Sequence, residues 1–140
     1  MRFPILLLLL AAAAPARAAA QRAPADSAAD TIPASARVVD EKDLATKPEL
    51  VNRSAISRLL TRNYPRALRE EGKTGQVTVT MVVDPAGVPR LVTVTGSSGI
   101  PEFDEASLRV TRAMRFSPPV LDGAPVWVRV RVPVEFSLVP

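Results

Sequence analysis

The chain has no histidine and no cysteine. Those two absences remove imidazole acid–base chemistry, thiolate nucleophiles, Cys/His zinc sites and disulfides. Aromatic residues are only 4% of the 140, too few to line a basic groove with stacking platforms for single-stranded nucleic acid. Long apolar runs are also scarce. The stretch Ile5 to Ala14 is unbroken for ten residues, about half of the roughly 20 needed to span a bilayer. Charge is not extreme, with 18 basic against 14 acidic residues. What remains for function is carboxylates, hydroxyls, guanidinium groups and the backbone. The length leaves room for one domain and a tail.

The N-terminal twenty residues hold much of the apolar content. Met1 and Arg2 precede the apolar run, Pro15 and Arg17 interrupt it, and Ala16, Ala18, Ala19 and Ala20 follow. This is the layout of a secretory signal peptide over residues 1–20, cleaved before Gln21. Losing Arg2 and Arg17 takes the formal charge from +4 to +2, so the mature chain is not an evident binder of nucleic acid. A retained, membrane-anchored N-terminus is the competing reading. Residues 21–51 read as a disordered or extended tether: Ala, Pro, Ser and Asp dominate to about Arg37, and Val38 to Leu50 alternates apolar pairs with charges.

Residues 52–140 carry the folded pattern. Asn52 or Ser54 caps a helix with Ile56, Leu59 and Leu60 on one face, and Pro65 ends it and opens a shorter one, with Ala67 and Leu68 inward and Gly72 as its stop. Gln76 to Asp84 alternates, with Val77, Val79, Met81 and Val83 on one face. Asp84-Pro85-Ala86-Gly87 turns the chain into a second strand, Val88 to Thr95, with Val88, Val92 and Val94 aligned. Phe103, Ala106, Val110, Ala113 and Met114 then recur at helical spacing. Val126 to Phe136 alternates again, with Trp127, Arg129, Arg131 and Glu135 on the face away from the valines. The fold class is α+β: a three-stranded antiparallel sheet with helices packed on it, in the order α-β-β-α-β. Pro133 makes the last strand an edge, because proline inside a sheet is confined to edges and bulges.

Tyr64-Pro65-Arg66-Ala67, Gly75-Gln76-Val77-Thr78-Val79 and Val83-Asp84-Pro85-Ala86-Gly87-Val88 come first in a series of short motifs. Ser97-Ser98-Gly99, Phe103-Asp104-Glu105-Ala106, Arg115-Phe116-Ser117-Pro118 and Gly123-Ala124-Pro125-Val126 complete it. In order and spacing the series resembles the C-terminal domain of the TonB family of periplasmic energy transducers, over about Tyr64 to Leu138. The resemblance implies a periplasmic module that pairs its last strand with the TonB box, an extended N-terminal segment of an outer-membrane receptor, in support of TonB-dependent transport. It implies ExbB and ExbD as further partners if the chain is anchored in the inner membrane. An envelope structural module that binds no receptor peptide is the alternative from another class, and a homodimer stays open.

The partner-binding candidates are Trp127, Arg129 and Arg131 on the last strand, from β-augmentation along its open side, and Thr61, Arg62 and Asn63 before Tyr64, from the resemblance. The bland readings are an edge guarded by Arg129, Arg131 and Pro133, a tryptophan packed beneath the N-terminal segment, and an ordinary solvated helix end. For catalysis the available groups are Glu102, Asp104, Glu105, Ser97 and Ser98. Acids at a helix start are explained by its dipole, and the serines lack a base, so no catalytic, metal or cofactor residue is assigned. Arg109, Arg112 and Arg115 form a basic helix side, read as solvated.

Overall fold

Alternation of apolar residues at Val77–Val83 and Val126–Phe136 forces two strands whose alternate side chains must share one buried face. In the computed structural model, which describes residues 30–138, these become β2 (Gly75–Val83) and β6 (Trp127–Phe136). They pair antiparallel along their whole length, from Gly75 opposite Phe136 to Val83 opposite Val128. The expected signal peptide and the start of the tether lie outside the described residues. The remaining elements are β1 (Val38–Asp40), a 3-10 turn (Glu41–Asp43), α1 (Arg53–Asn63), α2 (Arg66–Glu70), β3 (Pro89–Gly96), α3 (Pro101–Arg112), β4 (Val120–Leu121) and β5 (Ala124–Pro125).

The main sheet runs β1-β6-β2-β3. Its β3-β2-β6 part is antiparallel, and α3 is the crossover that returns the chain from one outer strand to the other side of the sheet. Val77, Val79, Met81, Val83, Val128, Val130, Val134 and Phe136 are buried against Phe103, Ala106, Val110 and Met114 of α3 and its C-terminal extension. The expected α+β architecture stands, with two differences. Ala67 is exposed, since five-residue α2 is too short to turn a full face inward, and Ala113, the cap just past the end of α3, is only half-buried. The sheet also gains a fourth strand.

That strand lies within the stretch read from sequence as a disordered or extended tether. Val38–Asp40 pairs parallel with Trp127–Arg129, and the Trp127 N–H donates to the Arg37 carbonyl at 3.0 Å. Leu44 is buried, Leu50 bridges to Phe116, and the Val51 N–H reaches the Arg115 carbonyl at 2.8 Å. Val38 to Val51 thus lies along the domain, because its sparse apolar side chains find a preformed sheet edge and need no core of their own. Asn52 departs from its expected capping role: its side-chain amide donates to the Ala113 carbonyl at 2.8 Å and accepts from the Arg115 N–H at 2.9 Å.

Two side-chain clusters hold the connections. Asp84 is buried and accepts from the Ala86 and Val88 N–H groups at 3.0 and 2.9 Å, and from Arg90 Nε at 3.1 Å. The same turn needs glycine at Gly87, whose φ is +84° and where a Cβ would lie 1.9 Å from the Phe116 carbonyl oxygen. At the start of α3, Asp104 accepts from the Ser98 N–H at 3.0 Å, from Ser98 Oγ at 2.9 Å and from Ser97 Oγ.

Val130 is 5% exposed in mid-β6, on the buried face. Val130→Asp should cost more than about 3 kcal/mol, against a typical stability of about 5–15 kcal/mol, and should abolish the cooperative unfolding transition followed by circular dichroism. The Asp104 site gives a pH prediction. Partial desolvation pushes its pKa up, but the hydrogen bonds from Ser97 and Ser98 outweigh it and hold the carboxyl below its ordinary value. A depressed folded-state pKa adds stability that is complete above the unfolded value and lost as pH falls. Below about pH 4 the wild type should therefore lose melting temperature more steeply than Asp104→Asn. Parallel pH profiles of the two proteins would assign no such role to Asp104.

Candidate functional site

A strand paired on one side still presents half of its backbone groups on the other. Pro133 faces Thr78 across the β2–β6 ladder. It has no N–H, so it sits in a pair that exchanges no hydrogen bonds with β2, and its carbonyl points away from β2. Every second residue shares that direction: Trp127, Arg129, Arg131 and Glu135 turn their N–H and C=O groups outward. The Trp127 N–H, bonded to Arg37 on the outer side, fixes this phase independently.

The expectation that all of this side is open needs correcting. β1 covers Trp127 to Arg129, and Arg129 is further tied to Asp40 by an ion pair at 3.6 Å. Trp127 is half-buried beside its register partner Val38. Its N–H is already taken by the Arg37 carbonyl. Among the described residues no strand pairs with β6 beyond Arg129 on this side. The open stretch thus runs from Arg131 to Phe136, with outward donors at Arg131 and Glu135 and outward carbonyls at Arg131, Pro133 and Glu135.

Two depressions, each lined in part by α1, lie along this open stretch. At one end, a cleft of about 400 Å³ is lined by Val130, Arg131 and Val132 of β6, by Arg53 of α1 and by Glu49 and Leu50. At the other, a groove of about 480 Å³ is lined by Glu135, Phe136 and Leu138, by Ser57, Leu60 and Thr61 of α1, and by Tyr64 and Arg69. The groove floor is built from interlocked rings. Tyr64 meets Phe103 and Phe136 edge-on at 5.5 and 5.7 Å, and the two phenylalanines stack at 4.7 Å. The Tyr64 hydroxyl donates to the Lys73 carbonyl. Arg69 lies over the Tyr64 ring at 5.3 Å and donates to the Thr61 carbonyl at 2.5 Å.

The six residues expected from sequence therefore do not form one cluster. Arg131 borders the open edge, and Thr61 lines the groove at its far end. Trp127 and Arg129 lie under or beside β1. Asn63 is engaged with α3, accepting from Arg109 Nε at 3.2 Å, and Arg62 is exposed outside the groove. Sequence reasoning missed Tyr64, Arg69, Glu135, Phe136 and Leu138 as groove residues. Phe136 and Tyr64 read as core, which they are, and Leu138 lies past the end of the alternation, where its 41% exposure left no periodic signal. The candidate enzymatic groups, Ser97, Ser98 and Asp104, bond to one another at the helix start. Among the described residues no three His, Cys, Asp or Glu side chains gather to hold a metal ion, and no helix is long and apolar enough to cross a membrane.

Comparison with known proteins gives a consistent picture. Protein TonB of Vibrio cholerae serotype O1 (strain ATCC 39315 / El Tor Inaba N16961) is 32% identical over 96 residues, covering 68% of this chain and 39% of that protein. The chain spans about two fifths of its relative's length. The family described as Gram-negative bacterial TonB protein C-terminal matches residues 61–138, from the last turn of α1 through the whole β2-β3-α3-β6 framework and the groove beside it. On that match, over more than half its length, the chain belongs to the TonB C-terminal family.

Proposed function

We propose that this protein is a periplasmic peptide-binding module of TonB-dependent transport, and that it takes an extended N-terminal segment of an outer-membrane receptor as an added strand on β6. The observation that carries this reading is the unpaired stretch from Arg131 to Phe136, flanked by a cleft and a groove that α1 helps to line. Main-chain pairing would supply affinity there, and the apolar groove at Tyr64, Phe136 and Leu138 would select a side chain at one end. Membership of the family and the relationship to Protein TonB support the transport role. Coupling to ExbB and ExbD would belong to an inner-membrane-anchored form of the chain, whereas cleavage before Gln21 would give a soluble adaptor.

Arg131 is the position at which to test strand addition. Its outward N–H is not used by β2 or β1, so Arg131→Pro should leave the internal ladder paired while removing a donor from the open edge. A labelled synthetic peptide carrying a receptor TonB box should bind this variant roughly two- to tenfold more weakly, with an unchanged circular dichroism spectrum. Arg131→Ala should lose less. Equal affinity in a folded Arg131→Pro protein would overturn edge pairing.

A further inference from the structure

We infer that β1 is a resident strand that a receptor segment must displace, so that Val38–Asp40 regulates the same edge from within the chain. This rests on the strand-addition reading above. The open stretch alone is a poor site. Of its outward residues only Arg131 and Glu135 offer an N–H, because Pro133 lies between them. Lifting β1 would add the outward N–H groups of Trp127 and Arg129 and their carbonyls, and would extend the edge over the full length of β6.

β1 is built to be lifted. It is three residues long and half-buried throughout. Its ion pair, Asp40 with Arg129, spans 3.6 Å between side chains that are 48% and 56% exposed, a setting in which such pairs hold weakly. Beyond Asp40 the chain leaves the edge through the Glu41–Asp43 turn. A cleft of about 370 Å³ opens there between Glu41 and Lys42 on one side and Arg129 to Arg131 on the other, at the point where an incoming strand would meet β1 end-on. Pairing then proceeds as an exchange. A segment seated at Arg131 and Glu135 extends along β6 by taking over the outward groups of Arg129 and Trp127 as Asp40, Val39 and Val38 release them.

The consequence is a measurable tax on affinity. A site open only in a fraction of molecules binds more weakly by that fraction, so weakening β1 should strengthen binding. Val39 turns its N–H and C=O toward β6, in phase with the Arg37 carbonyl that accepts from Trp127. Val39→Pro removes that donor, and Asp40→Lys sets a like charge against Arg129 while leaving Val39 in place. In the full chain, both variants should bind the labelled TonB-box peptide roughly three- to tenfold more tightly than wild type. Hydrogen–deuterium exchange of the wild type should show Val38–Asp40 losing protection on saturation with peptide while Arg131 and Glu135 gain it. Equal affinities for all three proteins, or a β1 that stays protected in the saturated complex, would overturn the exchange and leave strand addition at Arg131–Phe136 standing. If neither wild type nor variants bind any TonB-box peptide, strand addition itself fails and the exchange with it.

Discussion

Each strand of a sheet has backbone groups on two sides, and a ladder on one side does nothing for the other. In this protein that constraint falls on β6. Its pairing with β2 through the whole of Gly75–Val83 closes the core and fixes α3 above it, but leaves an outward row of N–H and C=O groups that something must meet. The chain meets it in three ways along ten residues: its own β1 at Trp127–Arg129, a missing donor at Pro133, and open groups at Arg131 and Glu135. Neither fold nor site can be described without saying which of these holds at each position.

The groove at the far end of the edge is tied to the same core. Tyr64 sits where α1 gives way to α2, and Pro65 is the reason for the break. The ring packs edge-on against Phe103 and Phe136, while its hydroxyl reaches the Lys73 carbonyl just before β2 begins. One residue thereby joins the helix that lines the groove, the crossover helix and the end of the edge strand. Gly75 belongs to this arrangement, since a Cβ there would lie 2.9 Å from the Phe103 ring. The groove is a surface of the aromatic core, so its shape is set when the domain folds and needs little ordering on binding.

Elements with a sustained period were legible in the sequence. β2, β3, α3 and β6 each carry enough alternating or helical positions to declare a face, and Pro133 is compatible only with a backbone whose missing donor faces away from β2. β1 was not legible, because three residues cannot display a period of two with any force, and a parallel pairing across some 90 residues of chain leaves no local turn signal. The candidate residues divided for the same reason. Arg131 followed from β6 alone, whereas the status of Trp127 and Arg129 depended on a distant segment whose own sequence reads as linker. Thr61 belongs to the groove and Arg62 does not, a distinction that depends on the rotation of α1 about its axis over its final turn.

The two edges of the sheet are protected in different ways, and the difference bears on function. On β3, Leu91 takes a φ of +47°, unfavourable for a residue with a γ-branched side chain, beside a register shift opposite Met81. Its N–H is accepted by the Asp30 carboxylate at 3.2 Å. Bulge, strain and a capped donor make that edge unfit to receive a strand. On β6 the backbone stays regular from Trp127 to Phe136, and protection comes from a short covering strand and one proline. An edge that only had to be kept from aggregating could have been bent like β3. A straight edge with a short cover, lying beside a preformed groove, retains the geometry that a pairing partner needs. The same segment reaches both edges, from Asp30 at β3 to Asp40 at β6. Whatever happens to its hold on β6 is therefore decided within a stretch of chain that remains attached to the far side of the sheet.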